Sequence, residues 1–147
     1  MKRSTGLRDY MLATGSFKGG IDGKVIKIYS GVEPATADAA LDVSNVLLNT
    51  ITLDGLGVTG LTLAATATGG QITKNTSEVW EGTNVATGTA TFFRMQTAAD
   101  DGGASTSAVR LQGNVALAGA DLNFSSVAFV TGDARRINYF VVSIPAG

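Results

Sequence analysis

The chain has 147 residues, a net charge of −1 and 16% charged side chains, a length that suits one domain with its own core. It contains no cysteine and no histidine, which excludes disulfides, ordinary zinc sites and Ser-His-Asp or Cys-His catalysis. The charge balance offers no basic surface for nucleic acid, and no apolar run reaches the ~18 residues of a membrane span.

The chain begins with a short sticky segment, "STGLRDYMLATGSFKGG", behind Met1, Lys2 and Arg3. Lys2 and Arg3 lack the uninterrupted apolar stretch of a secretory signal, because Arg8 and Asp9 fall where it belongs. Ser4 or Thr5 caps a predicted helix. Leu7, Tyr10 and Met11 fall on one face of it, and Gly15 ends it. So short a helix is marginal alone in water and needs something to lie on. That support is either its own domain or a neighbouring subunit.

Strands follow. "KVIKIYSG" puts Ile26 and Ile28 on one face and Val25, Lys27 and Tyr29 on the other. "VEPATADAALD" reads as a loop with a helical turn. "NVLLNTITLDG" is a strong strand closed by the tight-turn pair Asp54-Gly55. "VTGLTLAATATGG" predicts one or two threonine-rich strands, and "QITKN" and "SEVWEG" predict short ones. Trp80 reads as a core anchor. "GTATFFRMQT" and "AVRLQG" are strands around the polar loop "AADDGGASTS". "ADLNFSSVAFVTGD" is another, and "RRINYFVVSIP" is the last, longest and an expected central strand. About eight strands, with turn signals at ~8–12-residue spacing, predict an all-β, jelly-roll-like sandwich. The expected organisation is an arm with a short helix over residues 1–23 and a single β-sandwich domain over 24–147.

Chemistry-bearing patterns are sparse. Asp100-Asp101-Gly102-Gly103 lacks the alternating ligands and the later Glu of a calcium loop, so it reads as a solvated hairpin loop. Glu78 and Glu81 flank Trp80, yet a spacing of three on a strand points them to opposite faces. Arg94 and Arg110 each lie in an apolar strand, as buried, interface or outward-facing charges. "GSFKGGIDG" lacks the end of a phosphate loop. No catalytic, cofactor-binding or metal-binding residue is expected, and no enzymatic activity.

The segments "STGLRDYML", "IKIYSGVEPATADAAL", "ATFFRMQTAADDGGASTSAVRLQG", "AGADLNFSS" and "NYFVVSIPAG" together resemble a family of small virion proteins of tailed bacteriophages and prophages. The resemblance covers nearly the whole chain and rests on structural motifs. It implies a capsid decoration, or cement, protein on the capsid exterior, assembled in the bacterial host cytoplasm. The implied partners are the major capsid protein and further copies of the chain, as homodimer or homotrimer. No nucleic acid, membrane or cofactor is implied. A cement role needs surface rather than chemistry, since stable interfaces bury ~1,200–2,000 Å². On this expectation residues 1–23 form a clamp onto a neighbouring subunit, with Arg3, Leu7, Tyr10, Met11 and Phe17 as anchors. Deleting residues 1–20 should then leave a folded domain that no longer binds particles. The alternatives are a tail, baseplate or head–tail joining protein, or a receptor- or carbohydrate-binding module using Trp80, Tyr29 and Tyr139.

Overall fold

A computed structural model describes residues 1–144. In chain order its elements are β1 (Lys2–Arg3), α1 (Thr5–Ala13), α2 (Phe17–Ile21), β2 (Val25–Tyr29), β3 (Leu47–Leu53) and β4 (Gln71–Thr73). There follow β5 (Trp80–Thr83), β6 (Gly88–Thr89), β7 (Phe92–Gln96), β8 (Leu111–Ala116), β9 (Leu122–Asn123), β10 (Ala128–Phe129), β11 (Ala134–Ile137) and β12 (Val141–Ser143). The strongly alternating, β-branched and aromatic segments sit at the centre, as their propensity predicts. An eight-stranded sheet runs β1-β8-β7-β2-β3-β5-β11, with β9 added on β8. Every pairing in it is antiparallel except β8–β9. Two ribbons, β6–β10 and β4–β12, complete a mostly β fold with two short helices.

Register gives the large sheet two unlike faces. Ile26 lies between Ile51 and Met95, Met95 lies beside Leu111, and Ile28 pairs with Phe93. These residues are fully buried and form the centre of the apolar core with Leu7, Leu48 and Trp80. Phe140 closes the core, with its ring 5.7 Å from Trp80 and 5.9 Å from Phe93. The opposite face aligns Lys27, Arg94 and Gln112 across three strands. It is polar, and it is also covered.

Three expectations change. The long last strand divides into β11 and β12, because the buried positions are Ile137, Phe140 and Val142. That sequence breaks period two between 137 and 140, so Phe140 can enter the core only if the chain turns at Asn138-Tyr139. β11 pairs with β5 and β12 with β4, so the closing strand is an edge and a ribbon rather than a sheet centre. Pro145, at the end of that expected strand, lies outside the described residues. The threonine-rich stretch 58–70 makes only isolated bridges at Leu61, Leu63 and Thr68. Asp54-Gly55 does turn, with φ of 52° and 67°, the left-handed region that the pair tolerates.

The largest correction concerns residues 1–23, which are built into the domain rather than held out as an arm. β1 pairs with β8, Lys2 opposite Gln112 and Arg3 opposite Leu111. Ser4 is fully buried. Its Oγ accepts from the amides of Leu7 (3.1 Å) and Arg110 (2.9 Å) and donates to the Ala108 carbonyl (2.8 Å). It therefore caps α1 and at once splices it to the segment that leads into β8. Asp38 adds a second cap, accepting from the Thr5 amide at 2.8 Å and the Thr5 hydroxyl at 2.7 Å. At Gly6 a Cβ would stand 2.3 Å from the Ser107 carbonyl oxygen, so only glycine admits this approach. The glycines after α1 have a steric purpose too: a Cβ at Gly20 would meet Leu7 and the Tyr10 ring at 3.0 Å.

Gly6→Ala is therefore expected to destabilise by about 2–3 kcal/mol in urea unfolding. Removal of residues 1–20 strips the β8 edge and uncovers the core beneath Leu7 and Phe17. The truncated chain should lose its cooperative transition; an unchanged urea midpoint would show that the segment is not structural.

Candidate functional site

A cluster of charged and hydrogen-bonding side chains lies on the polar face of β2, β7 and β8. Loop 32–45 covers it and loop 97–109 flanks it. Arg94, on β7, is fully buried. It donates from Nε to Gln112 Oε1 and from Nη2 to the Ala39 carbonyl, each at 2.7 Å. Gln112 passes the connection on, donating to Glu33 Oε1 (3.0 Å) and the Pro34 carbonyl (2.7 Å). Lys2 reaches the same two groups from β1, at 3.0 Å and 3.1 Å.

Arg110 grips Asp100 through both carboxylate oxygens, at 2.7 Å each. The pair is closed to water, with side chains 2% and 8% exposed. Arg110 also donates to the Ala37 carbonyl at 3.3 Å. The Asp100 carbonyl accepts from Lys27 Nζ (2.7 Å) and Gln96 Nε2 (2.9 Å). The two loops bond directly, Leu41 amide to Gly102 carbonyl and Ser105 amide to Asp38 carbonyl, at 2.9 Å each. Tyr29 and Phe92 stack at one end, with centroids 5.2 Å apart. Arg94 Nη1 and Gln96 Oε1 are buried with no partner among the described residues.

Burial and the neighbouring Arg110 charge pull the Arg94 pKa down, yet a guanidinium stays charged in any protein. Burial pushes the Asp100 carboxyl up, but the Arg110 guanidinium and the Gly102 amide outweigh it and hold the group below the usual carboxylate range. Burial lowers Lys27 against the attraction of Asp100 and Asp101. Burial also drives the Tyr29 phenol up to about 12, against the pull of Arg94. Asp38 and Asp100 are both held below the usual carboxylate range, which favours their ionised forms. The arrangement fastens two loops and the N-terminus to one sheet face.

The residues singled out from sequence divide accordingly. Leu7 and Phe17 are buried in the chain's own core, so they cannot serve as anchors on another subunit. Tyr10 and Met11 are half-buried, and Arg3 is exposed on β1. Asp100 is an interior ion-pair partner rather than a solvated loop residue, while Asp101 is exposed. Arg94 and Arg110 face inward. Glu78 precedes β5 in a turn and accepts from Trp80 Nε1 (2.7 Å) and the Thr62 amide (2.9 Å). Burial raises its pKa, but those bonds and Lys74 bring it below the ordinary value, the opposite of a general acid. Glu81 pairs with Arg136 at 2.7 Å. Trp80 is fully buried and Tyr29 nearly so, which leaves Tyr139 as the exposed member of the proposed stacking set. Among the described residues no group of three acidic side chains is placed to hold a metal ion. Glu33, Asp38 and Gln112 escaped notice in the sequence, where nothing separates them from ordinary surface polar residues.

Asp100→Asn leaves Arg110 buried and unpaired and should cost about 3–5 kcal/mol in urea unfolding. Adding Arg110→Met should cost less than the sum of the single changes, because the two residues interact directly. The pH dependence follows from the shifts. Asp38, Asp100 and Glu78 have folded pKa values below their unfolded ones. Their contribution is present above about pH 4 and disappears as pH falls through the folded values. Tyr29 is shifted upward, so its contribution is full below about pH 10 and is lost as pH rises toward 12. Lys27 and Lys74, lowered by burial, run in the opposite sense near pH 10. Tyr29→Phe should therefore retain about 2–3 kcal/mol more of its neutral-pH stability than the parent at pH 12; equal alkaline losses would refute the assignment.

No family model, curated protein or solved structure matches this chain.

Proposed function

We propose that the chain is a non-enzymatic structural protein of a tailed-bacteriophage virion, a capsid decoration protein that binds the outside of the major capsid lattice. The observation that carries this reading is the purpose of the segments behind the resemblance. "IYSGVEPATADAAL" and "ATFFRMQTAADDGGASTSAVRLQG" contribute Glu33, Ala37, Ala39, Arg94, Asp100, Arg110 and Gln112, which form two neighbouring sets of hydrogen bonds that fasten loop 32–45. Motifs spent on internal rigidity suit a protein whose output is a shaped surface. Glu78 and Glu81, the best catalytic pair in the sequence, are engaged in structural hydrogen bonds and an ion pair. The same reading takes the large sheet and the ribbons β4–β12 and β6–β10 as the two layers of a sandwich. Phe129 and Val142 bring those ribbons onto the core.

The lattice contact in this reading uses the folded surface rather than a free N-terminal clamp. Leu12 on α1 and Val32 and Val43 on loop 32–45 are large apolar side chains left in solvent. Such side chains are the raw material of an interface, where contact excludes water. The test is the abundance of the protein in purified particles relative to the shell protein. A ratio near one, or a simple fraction of it, is expected. A few copies per particle would move the protein to the tail or the head–tail joint, and complete absence would end the virion reading.

A further inference from the structure

Asp-Gly occurs three times in this chain, at Asp22-Gly23, Asp54-Gly55 and Asp101-Gly102. The pair is chemically labile, because a residue without a Cβ leaves its amide nitrogen open to the preceding side-chain carboxyl. In a folded protein the reaction depends on what holds these two groups, and the three pairs are held differently.

At Asp22 both groups are engaged. Its Oδ1 accepts from the Leu63 amide at 2.9 Å, and its Oδ2 pairs with Lys18. The Gly23 amide donates to the Leu61 carbonyl at 2.9 Å. Asp101 is exposed but equally tied. Its Oδ1 accepts from the Gly103 amide at 2.8 Å, and the Gly102 amide donates to Asp100 Oδ1 at 2.9 Å. Asp100 is itself fixed by Arg110.

Asp54 is the exception. It lies in the exposed run 54–59. Among the described residues its carboxylate has no hydrogen bond and no ion pair; the side-chain bond in this turn is made by Thr52, whose hydroxyl accepts from the Gly57 amide at 3.0 Å. The Gly55 amide reaches only the Thr52 carbonyl, at 3.5 Å, beyond the ~2.7–3.2 Å of an ordinary N–H···O bond. Asp54 is also the one non-glycine residue with a positive φ among the described residues, at 52°, a conformation that a residue with a Cβ adopts at a cost.

We propose that Asp54-Gly55 is a self-modification site, where the folded chain isomerises aspartate to isoaspartate. The Gly55 nitrogen bonds to Cγ of the protonated Asp54 carboxyl, and the amide proton leaves with the carboxyl hydroxyl as water. The resulting succinimide ring takes up one water from solvent. Opening at Cγ restores aspartate; opening at the main-chain carbonyl gives isoaspartate, with the chain routed through the side-chain methylene. Mass and redox state are unchanged. At Asp22 and Asp101 the same attack first requires the loss of at least two hydrogen bonds, which lowers the reactive population about thirtyfold. The product alters the turn at the end of β3, where the Asp54 amide donates at 2.8 Å to the carbonyl of Val79, the residue before Trp80. The inference does not depend on the virion reading.

The test is to age the full chain in heavy-oxygen water at neutral pH, folded and in urea, and to map isoaspartate and incorporated label by peptide mass spectrometry with electron-transfer fragmentation. In the folded chain Asp54 should convert about thirtyfold faster than Asp22 or Asp101. In urea the three rates should converge, because the held groups are released. Equal rates in the folded chain, faster conversion at Asp22 or Asp101, or no conversion at Asp54 overturns the proposal. So does a ratio that persists in urea, since local sequence rather than the fold would then set the difference.

Discussion

Two guanidinium groups enclosed between a sheet and a loop are the constraint on which the rest of this structure depends. A buried arginine cannot shed its proton, so it must find acceptors or unfold the region around it. Arg94 and Arg110 find them in Gln112, Asp100 and the carbonyls of Ala37 and Ala39. Those carbonyls lie in a stretch with no regular secondary structure of its own. The path of loop 32–45 is thus held from below, by one charge on β7 and one just ahead of β8 that bind its carbonyls.

The N-terminus depends on the same arrangement. Asp38 caps α1 from the loop that the two arginines hold, and Ser4 joins α1 to the residues entering β8 through the Arg110 amide. Loop 32–45 and the N-terminal β1 and α1 are thereby bonded to one another and to the segment that enters β8, which lies far along the chain. The chain has two interiors: an apolar core on one face of the sheet and a polar layer on the other. Most of the polar layer is satisfied, as buried polar groups must be; Arg94 Nη1 and Gln96 Oε1 are the exceptions.

The outer boundaries are handled differently. The interior is closely tied, whereas Tyr139, between β11 and β12, stands exposed.

The sequence by itself determined the β class, the central strands β2, β3 and β7, a helix cap at Ser4 or Thr5, the turn at Asp54-Gly55 and Trp80 as a core residue; β8 runs through Gly113, where the sequence pattern breaks the strand. Each is local: alternation, capping and turn chemistry act over a few residues, and those residues carry the signal. Tertiary structure decided the rest. Arg94 and Arg110 read equally well as surface or interior charges, because burial of an ion depends on acceptors supplied by distant loops. Leu7 and Phe17 have the pattern of a docking face, and nothing local says whether the surface beneath belongs to the same chain. The break at Asn138-Tyr139 comes from Phe140 entering the core between Trp80 and Phe93, a demand of packing that overrides the period-two pattern along the strand. Long-range pairing, in which partner and register are chosen by the whole core at once, has no signature in a single stretch of sequence.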